Sequence, residues 1–215
     1  MMKTKTKYIL PAASGLLFLI LILLLKTVDV QKTGVGDTEI GLFHLNNAVH
    51  QLFGVNMAWY KITQATGLIS LAAGGAFALI GVFQLIKRKS LFKVDRDLIN
   101  LGCLYILTGS IYMFFEKVII NYRPLIMEGE TAPEASFPSS HTVLVLVIMG
   151  SIIMLLKKYI KNQNLIYVLG ALCAAIAVIT VIGRLICGVH WFTDILGGVI
   201  LSVCLLSFFY ALVEQ

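Results

Sequence analysis

Three short clusters hold residues whose types and spacing suit phosphate chemistry. In Phe137-Pro138-Ser139-Ser140-His141, two hydroxyls and an imidazole stand directly before an apolar run from Thr142 to Leu156. Proline is preset for the first turn of a helix, so the segment predicts a helix mouth with free backbone N–H groups beside Ser139, Ser140 and His141. Those N–H groups and the positive end of the helix dipole favour an anion. In the stretch from Gly183 to Asp194, Arg184, His190 and Asp194 supply a cation, an imidazole and a carboxylate in order. The four-residue step from His190 to Asp194 lets the carboxylate accept from one ring nitrogen if a helix starts there, leaving the other nitrogen as base or nucleophile. The third cluster, Lys117 to Pro124, contains Lys117 and Arg123. Arg offers phosphate a bidentate fork and Lys a point charge. A phosphomonoester repels nucleophiles, so cations, hydroxyls and N–H donors must neutralise it; two imidazoles can then divide the work, one neutral to attack and one protonated to act as an acid. Each cluster also has a plain structural alternative. Pro138 and Ser139 could merely start a helix, Lys117 could pair with Glu116, Glu128, Glu130 or Glu134, and Arg184 and Asp194 could anchor helix ends.

Six apolar segments must position these clusters. The chain is 59% hydrophobic and 13% charged, with a mean hydropathy of +0.91, whereas soluble domains are about 45–50% apolar. This is the composition of a membrane protein. Segments long enough to cross a ~30 Å hydrocarbon core run approximately from Tyr8 to Leu25, Thr63 to Ile86, Leu98 to Phe115, Thr142 to Leu156, Leu165 to Ile186 and Ile195 to Val213. The fourth reaches full length only if Ser139 to His141 belong to it. The first resembles a secretion signal, with Lys3, Lys5 and Lys7 ahead of it, but it is long for one and five more spans follow. The expected fold is all-α, a bundle of six transmembrane helices forming a single integral membrane domain over residues 1–215.

Charge placement sets the orientation. Lys3, Lys5 and Lys7, then Lys87, Arg88, Lys89, Lys93 and Arg96, then Lys157, Lys158 and Lys161 occupy alternate ends of the spans. The positive-inside rule makes these places cytoplasmic, with both termini inside and the three clusters on the extracytoplasmic face of the cell membrane. The net charge of +6 therefore serves topology and implies no nucleic acid. A charge at the bilayer centre costs about 2.5–3.5 kcal/mol, so Arg184 and Asp194 are expected to face a wet cavity and pair there. In the first outer loop, Leu42, Leu45, Val49, Leu52 and Phe53 recur at helical spacing with Asn46, Asn47, His50 and Gln51 opposite, as in an amphipathic helix on the membrane surface. His44 and His50 lack Cys, Asp or Glu at ligand spacing and read as interfacial residues. Cys103, Cys173, Cys187 and Cys204 form no CxxC pair and read as small packing residues. No metal or cofactor constellation is present in the sequence.

Taken together, the clusters resemble the signature of the type 2 phosphatidic acid phosphatase superfamily of membrane lipid phosphatases, whose pattern is Lys-x6-Arg-Pro, then Pro-Ser-x-His, then Ser-Arg-x5-His-x3-Asp. The resemblance runs from Lys117 to Asp194. It implies that Arg123, Ser139, Ser140 and Arg184 hold the phosphoryl oxygens, that His190 attacks phosphorus with Asp194 orienting it, and that His141 protonates the leaving oxygen. It also implies a phosphohistidine intermediate without a metal. Two positions depart from the pattern. Five residues, not six, separate Lys117 from Arg123, so the lysine position is strictly Glu116, and Gly183 stands where the family usually has Ser. One residue turns a helix by about 100°, which turns Lys117 away from the expected direction.

The implied partners are a membrane lipid phosphate and the bilayer; the sequence is silent on oligomeric state. The chain is similar to compact bacterial members that act on phosphatidylglycerophosphate or on undecaprenyl diphosphate, and the first of these is the expected substrate. Two other classes stay open: a non-catalytic lipid-phosphate binder or transporter, and a transferase that passes the headgroup to another alcohol.

Overall fold

The computed structural model describes residues 6–213 of the chain. Seven α-helices account for most of it: α1 (Ile9–Thr27), α2 (Phe43–Phe53), α3 (Met57–Arg88), α4 (Arg96–Lys117), α5 (Ser140–Tyr159), α6 (Gln163–Ile186) and α7 (Phe192–Val213). All but α2 are long and apolar enough to cross a membrane. Two-residue strands β1 (Gln31–Lys32) and β2 (Glu39–Ile40) pair antiparallel in the loop before α2. Lys3 and Lys5 lie outside the described residues.

The apolar runs become helices because the lipid supplies no partner for backbone N–H and C=O groups, and a helix satisfies them internally. Local caps set several ends. The Asn56 side chain accepts from Ala58 N and Trp59 N at 3.1 and 3.3 Å to start α3, and Asn162 accepts from Leu165 N at 3.2 Å to start α6. The mouth of α5 differs slightly from expectation. Its first helical residue is Ser140 rather than Pro138, so Ser140 and His141 belong to the span and bring it to 20 residues.

Helix α5 is the centre of the bundle and packs against α3, α4, α6 and α7. Its Val145, Val147 and Leu155 are fully buried, whereas Leu16, Leu19, Phe83 and Ile106 on other helices are exposed. In a membrane protein such outward apolar side chains meet lipid tails. Where the helix bundle meets the clusters, Phe18 of α1, Phe115 of α4 and Phe137 form an aromatic trio with centroids 5.6–5.9 Å apart. This trio seats Phe137, and with it the segment Pro138 to His141, at the end of the bundle where α4 and α6 finish and α3, α5 and α7 begin.

Candidate active site

The loop from Cys187 to Trp191 is shaped from two directions. Gly188 has φ +68°, and a Cβ there would come 2.1 Å from the Gly54 carbonyl oxygen, so only glycine allows the segment between α2 and α3 to lie this close. Asn56 N donates to Cys187 O at 3.2 Å across the same contact. On the other side Asn46 of α2, fully buried, accepts from Thr193 N at 3.1 Å with its side-chain oxygen and donates to Gly41 O at 3.0 Å. Asn46 thus caps the first turn of α7 from a different helix. His50 of α2 packs against Trp191, ring centroids 5.4 Å apart. The amphipathic helix is therefore turned with Asn46 toward the protein and Leu45, Leu52 and Phe53 exposed. His44 meets a carboxylate that spacing did not foreshadow, with Nδ1 3.0 Å from Asp29.

Asp194 is fully buried, and both its oxygens are occupied. Oδ1 accepts from Asn121 Nδ2 at 2.8 Å and Oδ2 accepts from Trp191 N at 2.9 Å. Oδ2 also stands 3.6 Å from His190 Nδ1, a distance just beyond a direct hydrogen bond. Catalytic hydrogen bonds are often long before substrate arrives and shorten in its presence. Neither His190 nitrogen has a hydrogen-bond partner among the described residues. Burial holds the His190 imidazole below its usual pKa, and this outweighs the opposing pull of Asp194. The ring is neutral at physiological pH.

Arg184 does not pair with Asp194, contrary to expectation. Its side chain is buried to 1% exposure, with Nε and Nη2 unpartnered among the described residues. The guanidinium lies over the Tyr60 ring, 5.2 Å from its centroid, a contact that holds the cation without consuming its donors. Asp194 is instead satisfied by Asn121 and the backbone, so the cation remains available for an external anion. Arg123 lies in a loop pinned by Arg123 N to Glu134 O at 2.9 Å and Trp191 Nε1 to Tyr122 O at 2.8 Å. Its Nε is 3.0 Å from Glu134 Oε2, yet the N–H is misaligned and Nε and Nη1 count no hydrogen-bond partner among the described residues.

His141 reaches α3. Its Nε2 meets Gln64 Oε1, and Gln64 Nε2 donates to the Tyr60 hydroxyl at 2.8 Å. An amide oxygen can only accept, so in this arrangement Nε2 carries hydrogen and Nδ1 is left for other work. Tyr60, Gln64 and Gly67 follow at helical spacing on one face of α3, and a Cβ at Gly67 would approach the His141 ring to 3.1 Å.

Arg123, Ser140, His141, Arg184 and His190 all line one cavity of about 880 Å³. Ser139 lies behind it, buried, its N donating to Asp194 O at 3.0 Å and its hydroxyl accepting from Thr142 at 3.0 Å. Lys117 is exposed and absent from the lining, which contains Glu116 instead. Farther from the clusters the wall is largely apolar, with Leu68, Leu71 and Gly75 of α3 facing Gly109 and Ile111 of α4. Spacing among the chemical clusters did not reveal Tyr60, Gln64, Asn46 or Asn121. Each is a polar side chain that touches a group outside its own helix or loop, and Gln64, an amide inside an apolar span, was the available signal.

Comparison with known proteins bears on the fold and the family. Phosphatidylglycerophosphatase B of Bacillus subtilis (strain 168) is 33% identical over 100 residues, a match that covers 45% of this chain and 45% of that protein. The crystal structure of a transmembrane PAP2 type phosphatidylglycerolphosphate phosphatase from Bacillus subtilis superposes with a TM-score of 0.66, covering 96% of each chain at 19% identity, a likeness of fold. The PAP2 superfamily model matches residues 98–215, which contain all three clusters. Six membrane-spanning helices, clusters gathered at one end and a family match over more than half of its length make this multi-pass membrane protein a member of the PAP2 superfamily.

Proposed function

We propose that the protein is a lipid phosphatase that removes the terminal phosphate of a membrane lipid, with phosphatidylglycerophosphate as substrate and phosphatidylglycerol as product. The observation that carries this reading is the pairing of Arg184 and His190. Both are almost fully buried, both have unpartnered nitrogens among the described residues, and both line one cavity whose wall is largely apolar where α3 faces α4. Donors desolvated in this way are costly unless an anion completes them, and the apolar wall suits the lipid that carries it.

In the proposed reaction, Arg123, Arg184 and Ser140 hold the phosphoryl oxygens, with the N–H groups at the start of α5. Ser139 shapes that mouth from behind, and Lys117 contributes charge from outside the lining. His190 Nε2 attacks phosphorus; the P–N bond forms as the P–O bond to the lipid alcohol breaks. Asp194 steadies the imidazolium through Nδ1. His141 passes a proton to the leaving oxygen. Water then attacks the phosphohistidine, giving its proton to His141 and releasing phosphate with His190 neutral again. The site lies on the extracytoplasmic face of the cell membrane, with both termini inside.

One observation favours a second substrate. Ala78 and Tyr105, at the inner end of the cavity, also line an apolar pocket of about 340 Å³ between α3 and α4. A continuous groove of this kind suits a tail longer than one leaflet, as in undecaprenyl diphosphate. The test is phosphate release by the purified chain in detergent, with chelator present, from phosphatidylglycerophosphate, phosphatidic acid and undecaprenyl diphosphate. The parent is expected to release phosphate and the folded His190→Ala variant none. Release by that variant removes the mechanism, no release by the parent favours a binder or transporter, and a new phospholipid in place of free phosphate identifies a transferase.

A further inference from the structure

We propose that Glu116 and Glu134 form an acceptor subsite for a hydroxyl or ammonium group on the alcohol that leaves from phosphorus. This deepens the phosphatase reading and rests on it for the reaction. Both carboxylates line the same cavity as Arg184, His190 and His141. Arg184, 1% exposed with Nε and Nη2 unpartnered among the described residues, calls for an anion beside His190 in that space. The two carboxylates share that space with whatever bears the anion.

Their positions relative to the phosphate follow from Arg123. Glu134 Oε2 is 3.0 Å from Arg123 Nε, so it stands one guanidinium away from the oxygens that Arg123 would hold. That is the distance of the first substituents on the ester alcohol. Glu116 occupies the register where the family motif has its lysine, and Tyr112 stands beside it on the cavity wall. The cavity therefore presents two anions beside its cations. Both are solvent-accessible before substrate arrives, so neither carries the cost of a buried lone charge.

A carboxylate accepts strongly from O–H and N–H groups and repels a second anion. A phosphate ester whose alcohol carries a free hydroxyl or ammonium next to the ester oxygen gains a charge-assisted hydrogen bond here. A diphosphate leaves as a phosphate, which would set negative charge directly against Glu134. The subsite selects polyol and amino-alcohol phosphates and rejects polyprenyl diphosphates, whatever the length of the apolar groove.

The experiment uses the full-length His190→Ala protein in detergent, so that binding is read without turnover. Its Kd is measured for phosphatidylglycerophosphate, for the analogue lacking the secondary hydroxyl of the terminal glycerol, and for undecaprenyl diphosphate. The hydroxyl is expected to tighten binding about tenfold, the worth of one hydrogen bond to a charged group. Adding Glu116→Leu and Glu134→Leu is expected to bring the first two ligands within about twofold of each other and to strengthen undecaprenyl diphosphate. Because those two ligands share one phosphate, release of Arg123 from Glu134 cancels in their ratio. Equal Kd values with the carboxylates present, or a ratio unchanged without them, overturns the subsite. Phosphate release by the parent enzyme judges the phosphatase reading separately.

Discussion

At the scale of single residues, the site depends on how the buried charges are matched. Asn121 and Trp191 N hold both oxygens of Asp194, and Tyr60 holds Arg184 by its face. These contacts leave Nε and Nη2 of Arg184 and Nε2 of His190 without a partner among the described residues, which the proposed reaction fills with the phosphate. A pH prediction follows from His190. Its pKa lies below the ordinary value of about 6.5 because burial disfavours the cation, so the attacking neutral form persists as pH falls past that value. The acid limb of kcat/KM is therefore expected below about pH 6.5. The same depressed pKa means that the folded protein binds fewer protons than the unfolded one, so stability is full above the unfolded value and declines as pH falls below it. A kcat/KM profile with its acid limb above that value would contradict a neutral buried nucleophile. For His141, replacement by Ala is expected to lower kcat on the order of a hundred- to ten-thousand-fold, the usual worth of a positioned acid. A fall of less than tenfold would remove it from the proton transfer.

At the scale of elements, the distance between α3 and α6 governs the site, because α3 carries Tyr60 and Gln64 while α6 carries Arg184 in its last turn. Gly183 permits that distance. A Cβ there would stand 2.6 Å from Thr63 Cγ2 and 2.9 Å from Trp59 Cε3. The contact is tightened by a hydrogen bond between Thr66 and Thr180 of 2.7 Å within the same interface. Gly183, which stands where the family usually has Ser, is thus a packing requirement. Gly183→Ser, which restores the usual family residue, is expected to destabilise the protein by about 1–3 kcal/mol and to lower activity by moving α3. Thermal unfolding in detergent checks this; an unchanged Tm with raised activity would mean that α3 yields easily and that the hydroxyl serves phosphate.

At the scale of the whole molecule, antiparallel spans place the ends of α4 and α6 and the starts of α3, α5 and α7 at one membrane face. In the proposed orientation, which rests on the bias of basic residues, that face is the outer one. Glu130→Cys is therefore expected to react with a membrane-impermeant maleimide in intact cells, and Lys161→Cys only after permeabilisation, each above the labelling of the parent cysteines. The reverse pattern would invert the topology.

Sequence alone was enough for the parts of this protein that depend on local composition. Apolar runs of spanning length dictate helices because lipid offers no other partner for the backbone. The motif residues could be gathered on one face by counting spans. The register count from Arg123 also marked Lys117 as turned aside, and Glu116, not Lys117, lines the cavity. Only the tertiary structure decided which partner each buried charge takes. Arg184 and Asp194 are ten residues apart and opposite in sign, yet Asp194 is satisfied by Asn121 from a distant loop and Arg184 stacks on Tyr60. Asn46 reads as the polar face of a surface helix, but its side chain caps α7. Such choices depend on which helices meet at which height, and hydrogen-bond energy in a dry interior rewards whichever partner has the right geometry, regardless of its place in the chain.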